Sequence, residues 1–94
     1  MRLTSNTRQM IRETILQTDP DAKVFLFGSR TDDAAKGGDI DLLILSKILT
    51  TRDLRKLKIH LEDRLGMQKI DLILSPPELT NPFAQGAYED GVLL

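Results

Sequence analysis

The chain has no cysteine and no tryptophan. Without cysteine there can be no disulfide and no thiolate metal site. Aromatic residues make up only 4% of the sequence, too few for a platform on which single-stranded nucleic acid could stack. There is no excess of either charge. Thirteen Lys and Arg stand against fourteen Asp and Glu, for a net charge of −1. A dedicated nucleic-acid binder would usually be clearly basic, although a local basic patch is still compatible with this balance. No apolar run approaches the roughly 20 residues of a membrane span. The opening segment MRLTSNTRQM lacks the apolar centre of a signal peptide, so a cytoplasmic location is expected. Neither a G-x-x-x-x-G-K-[ST] loop nor a G-x-G-x-x-G turn is present. Internal repeats and low-complexity segments are absent as well.

What is present suits a small soluble domain. The 94 residues are 40% apolar and 29% charged, which predicts one globular domain over residues 1–94 with a modest core. Thr4 or Ser5 can cap a first helix, whose apolar stripe is Ile11, Ile15 and Leu16. That helix should stop near Asp19, because the residue before Pro20 is pushed out of the α region. KVFLF, Lys23 to Phe27, is a short apolar run of the kind found in central strands. The polar stretch RTDDAAKGG could hold a short helix. DIDLLIL from Asp39 predicts a second strand. Thr50 and Asp53 form a capping box for a helix with Leu54, Leu57, Leu61 and Leu65 at helical spacing. Gly66 suits the position just past its end. KIDLIL, Lys69 to Leu74, predicts a third strand, and Asn81-Pro82 can open a short last helix. The order α-β-(α)-β-α-β-α predicts an α/β (α+β) layered fold, with a small mixed sheet of about three strands and helices packed on it.

Three aspartates stand where strands disfavour them. Asp39 and Asp41 open one apolar strand and Asp71 opens another. Asp39 and Asp41, two apart, point to the same face and repel. One strand-initial aspartate is usually a solvated strand end. If their strands are neighbours, the three converge, which is unfavourable unless they are protonated or neutralised by a cation. Mg²⁺ takes hard oxygen ligands, usually a few carboxylates plus substrate phosphates, and two such ions form the clamp of phosphoryl displacement. Gly28-Ser29, separated from Asp39 by nine residues, adds a turn where backbone can approach a phosphate and a hydroxyl can meet it.

The stretch FGSRTDDAAKGGDIDLLIL followed by KIDLIL resembles the minimal nucleotidyltransferases (MNT domains) of the DNA polymerase beta superfamily. The resemblance runs from about Ala22 to Leu74, and AYEDGVLL is similar to the usual ending of such proteins. The chain departs from many relatives after Arg30, where Thr31-Asp32-Asp33 replaces a small residue and a second arginine. The resemblance implies a polymerase-beta-like fold and transfer of AMP (NMP) from ATP (NTP) to a hydroxyl, with release of pyrophosphate. It implies that Asp39, Asp41 and Asp71 are catalytic and bind Mg²⁺, two ions in all. Asp71 would also help to deprotonate the acceptor. It implies nucleotide binding by Gly28, Ser29 and Arg30. Arg30 has an equally good reading as a solvated loop residue.

Minimal relatives are often paired with a small helical HEPN protein in toxin–antitoxin systems, so the resemblance implies a protein hydroxyl as acceptor. An alternative within the family is a small-molecule, aminoglycoside-like acceptor, although those enzymes generally carry a further helical domain. A different class is a non-catalytic module that neutralises a helical partner by contact. Three converging carboxylates favour the enzyme. A nucleic-acid polymerase fragment lacks its basic surface here. A chain this short has little room to enclose a nucleobase, so a partner subunit or a second copy would complete the pocket. Lys36, Asp32, Asp33 and His60 read as solvated residues. Arg52, Arg55, Lys56, Lys58 and Arg64 read as a solvated basic face that could also meet an acidic partner.

Overall fold

The computed structural model describes residues 4–27, 39–66 and 69–94. Among the described residues, three helices and four strands follow the order α1 (Ser5–Thr18), β1 (Lys23–Phe27), β2 (Asp39–Leu45), α2 (Thr51–Leu65), β3 (Lys69–Ser75), α3 (Pro82–Asp90) and β4 (Val92–Leu93). The short helix expected in RTDDAAKGG falls outside the described residues.

Local chemistry sets each boundary. The Thr4 hydroxyl accepts from the Thr7 N–H at 3.1 Å and starts α1. At the other end, Asp19 adopts an extended backbone ahead of Pro20. In α2 the capping box is complete, with the Thr50 N–H donating to the Asp53 carboxylate at 2.9 Å. Gly66 ends α2 at φ 75°, ψ −121°, a conformation that favours glycine. The Asn81 side chain accepts from the Phe83 N–H at 2.8 Å, with Pro82 at the first helical position of α3.

The sheet order is β3-β2-β1-β4. β1 runs antiparallel to both β2 and β4, while β2 and β3 are parallel and joined through α2. The expected mixed sheet and α+β layering are therefore present, with four strands where about three were anticipated. The extra strand, β4, is two residues long. Gly91 makes it possible, since a Cβ there would lie 2.7 Å from the Ala87 carbonyl oxygen and 3.1 Å from the Phe25 Cβ.

Alternation along the strands divides the core between two faces. On one face Val24, Leu26, Ile40, Leu42, Ile44 and Ile70 pack with Ile11 and Ile15 of α1 and with Leu57 and Leu61 of α2. Leu54 and Leu65 are only partly buried against this core. On the other face Phe25, Leu43 and Leu45 pack with Ala84 and Ala87 of α3. The rings of Phe25 and Tyr88 meet edge-on at 5.0 Å.

Behind the far end of β2 lies a buried polar knot. Asp19 is 4% exposed and Ser46 6%. The Ser46 hydroxyl donates to the Asp19 carboxylate at 2.5 Å, and the other Asp19 oxygen accepts from the Asp21 N–H at 3.0 Å. Ser46 Oγ accepts in turn from the N–H groups of Ile48 and Leu49. Every described group in the knot has a partner, as burial of a carboxylate requires.

Candidate active site

The site is built by strand register. β2 and β3 begin together, with Asp39 opposite Lys69, Ile40 opposite Ile70 and Asp41 opposite Asp71. Ile40 and Ile70 are buried under α1 and α2. Alternation therefore sends Asp41 and Asp71 to the opposite face. On that face α3 packs over Phe25, Leu43 and Leu45, farther along the strands. The two carboxylates stand on neighbouring strands, whose axes are about 4.8 Å apart. Asp41 is half-buried, and the Asp71 side chain is 46% exposed.

β1 brings a third element to the same end. Phe27, the residue just before Gly28, is the register partner of Asp41. The expected nucleotide-binding residues Gly28, Ser29 and Arg30 themselves lie outside the described residues, as do Asp32, Asp33 and Lys36. The backbone of Asp39 is placed in β2, but its side chain is outside the description. The geometry thus joins two of the three expected metal-binding aspartates, Asp41 and Asp71. Among the described residues no group of three or more His, Cys, Asp or Glu side chains could hold a metal ion.

Electrostatics around the pair come from α2. Lys58 Nζ lies 4.0 Å from Asp71 Oδ1, and its side chain is 40% exposed. On the same helix Glu62 accepts from the Ile70 N–H at 3.0 Å and satisfies a backbone donor of the β3 edge. Lys58 and Glu62 are one turn apart, so one stripe of α2 follows the edge of β3. The sequence reading placed Lys58 on a solvated face. Its contact with Asp71 depends on how α2 crosses back over β3, which helical spacing alone does not specify. Lys69 is a second cation at the strand start, opposite Asp39 in register. The remaining basic residues Arg52, Arg55, Lys56 and Arg64 are exposed, as is His60.

A profile of the family described as "Nucleotidyltransferase domain" matches residues 8–90. The chain belongs to this family. Its matched span contains β1, β2 and β3, and so both described carboxylates. One solved structure, of a candidate minimal nucleotidyltransferase, superposes on this nucleotidyltransferase domain with a TM-score of 0.67. That likeness covers 95% of this chain and 93% of the other, at 22% identity, and concerns the fold. Among curated proteins none is a significant match.

The activity class is therefore nucleotidyl transfer, and the protein is a transferase. A nucleotide substrate follows from that class. Among the described residues no helix is long and apolar enough to cross a membrane.

The donor set fits a hard divalent cation. Asp41 and Asp71 offer oxygen ligands only, from one sheet face, and the Asp71 side chain is 46% exposed. Mg²⁺ commonly takes one or two carboxylates and fills its remaining positions with water and substrate phosphate.

Proposed function

We propose that this nucleotidyltransferase domain moves AMP from ATP to a hydroxyl group in a Mg²⁺-dependent reaction that releases pyrophosphate. One observation carries the reading: Asp41 and Asp71 are register partners on parallel strands, both on the sheet face away from α1 and α2. Like charges placed side by side are costly without a cation. A fold that needed only strands would not select two aspartates there.

Asp41 and Asp71, joined by Asp39, would hold the divalent ions. When bound, Mg²⁺ supplies the positive charge that offsets the transferring phosphoryl group and the departing pyrophosphate. In the reaction the acceptor oxygen forms a bond to the α-phosphorus, and the bond from that phosphorus to the β-bridging oxygen breaks. The acceptor proton passes to Asp71. Gly28 and Ser29 would hold the β- and γ-phosphates, and Arg30 would reach a phosphate oxygen.

The acceptor in this reading is a hydroxyl on a small helical partner of the HEPN type, as in toxin–antitoxin pairs, with both proteins in the cytoplasm. Support comes from the exposure of Asp71, whose side chain is 46% exposed, while α3 packs farther along the strands. The net charge of −1 disfavours nucleic acid in that role.

The test is transfer of label from α-labelled ATP to the helical partner with Mg²⁺ and with EDTA, followed by mass spectrometry of the adduct. The expected product is the partner carrying AMP, formed only with the metal. No metal-dependent nucleotide binding at millimolar ATP, together with no adduct, would remove the reading.

A further inference from the structure

Lys58 is a cation in contact with Asp71, with Nζ 4.0 Å from Asp71 Oδ1. It is held there by tertiary packing. Leu57 and Leu61, on either side of it in sequence, are buried at 5% and 0% exposure, and Glu62 one turn on is bonded to the β3 backbone. α2 therefore cannot turn about its axis to release Lys58 without giving up that core. An ammonium beside a carboxylate and a divalent ion bound to that carboxylate repel each other.

We propose that Lys58 is a resident counter-cation of Asp71, which a divalent ion must displace from that carboxylate. It thereby sets the metal affinity of the site. This rests on the metal-dependent reading above and deepens it. In the metal-free protein Lys58 offsets part of the negative charge at Asp71. On metal binding the ammonium swings away, and its four-carbon stem leaves it at the rim of the site. The contact is half-exposed, so it is weak enough to be exchanged. Lys58 is thus a positioning residue, acting through Asp71.

The experiment titrates the whole protein with Mn²⁺ alone by calorimetry and measures melting in EDTA. Lys58→Met should bind Mn²⁺ roughly two- to fivefold more tightly than wild type, and it should melt slightly lower in EDTA. Lys58→Arg should restore both values to near wild type. Lys56→Met removes the same charge from the α1 side of α2, where Lys56 lines a hollow with Thr14 and Gln17, and should leave Mn²⁺ affinity unchanged. If wild type binds Mn²⁺ and Lys58→Met binds it equally or more weakly, the counter-cation role is overturned while the metal site stands. An equal gain from Lys56→Met would reduce the effect to net charge and overturn it too. If wild type binds no Mn²⁺, the metal-dependent reading falls and this inference with it.

Discussion

Asp71→Asn separates a functional aspartate from a structural one, because the structure makes its two stability effects small and opposite. The substitution removes the contact with Lys58. That pair is 40% and 46% exposed at 4.0 Å, and exposed pairs are worth about 0.2–1 kcal/mol. It also relieves repulsion from Asp41, the register partner. Two unit charges about 5 Å apart in a water-like medium repel by about 0.8 kcal/mol. The net change should stay below about 1 kcal/mol in either direction. For a chain of this size that corresponds to a melting shift of less than roughly 4–8 °C. Catalysis should respond very differently. Losing one group that stabilises charge in the transition state typically costs at least about 10²-fold, or about 2.7 kcal/mol in the barrier. The assays are thermal unfolding in EDTA and single-turnover transfer of AMP. An Asp71→Asn protein that melts far below wild type yet transfers AMP at a comparable rate would refute the reasoning, since Asp71 would then be a structural residue at a strand start.

Asp19→Ala should do the reverse. Asp19 is buried and accepts from both Ser46 and the Asp21 N–H, and bonds to a charged acceptor are worth about 1.5–3 kcal/mol each. Urea unfolding should show a loss of about 3–6 kcal/mol, with Mn²⁺ affinity unchanged in the folded protein. Asp53 predicts a pH effect. Its carboxyl is held below its ordinary value of 3.8, first by the Thr50 N–H and then by the Thr50 hydroxyl. A depressed folded value means that the stabilisation is fully present above the unfolded value and is lost as pH falls through the folded one. The stability difference between wild type and Asp53→Asn should therefore be constant near neutrality and shrink in strong acid, as followed by helical circular dichroism.

The parts of the fold that local chemistry determines were legible in the sequence. Thr50 and Asp53 marked the start of α2, and Asn81-Pro82 marked that of α3. The apolar runs located three strands, with β3 extending one residue farther, to Ser75. β4 was not legible, because two exposed residues held mainly by backbone pairing leave no alternation to read. Asp19 was legible as a helix stop but not as the acceptor for Ser46, a contact spanning 27 residues. In the site, Asp41 and Asp71 stood out because aspartate is out of place in an apolar strand. Their parallel register and the approach of Lys58 arise from how α2 returns the chain to the sheet, a non-local outcome that residue spacing does not specify.

The register has a consequence for the quality of the folded population. Side chains alternate, so a slip of one residue between β2 and β3 would turn Ile70 out of the core and Asp71 into it. The buried row of isoleucines and leucines thus proofreads the carboxylates. A chain that pairs its strands wrongly does not become a stable, miswired enzyme. It fails to bury its core and stays unfolded, where it can refold or be degraded. Compactness and alignment of the two aspartates are reached in one event. Preparations refolded by different routes should accordingly differ in yield while sharing one specific activity per folded molecule.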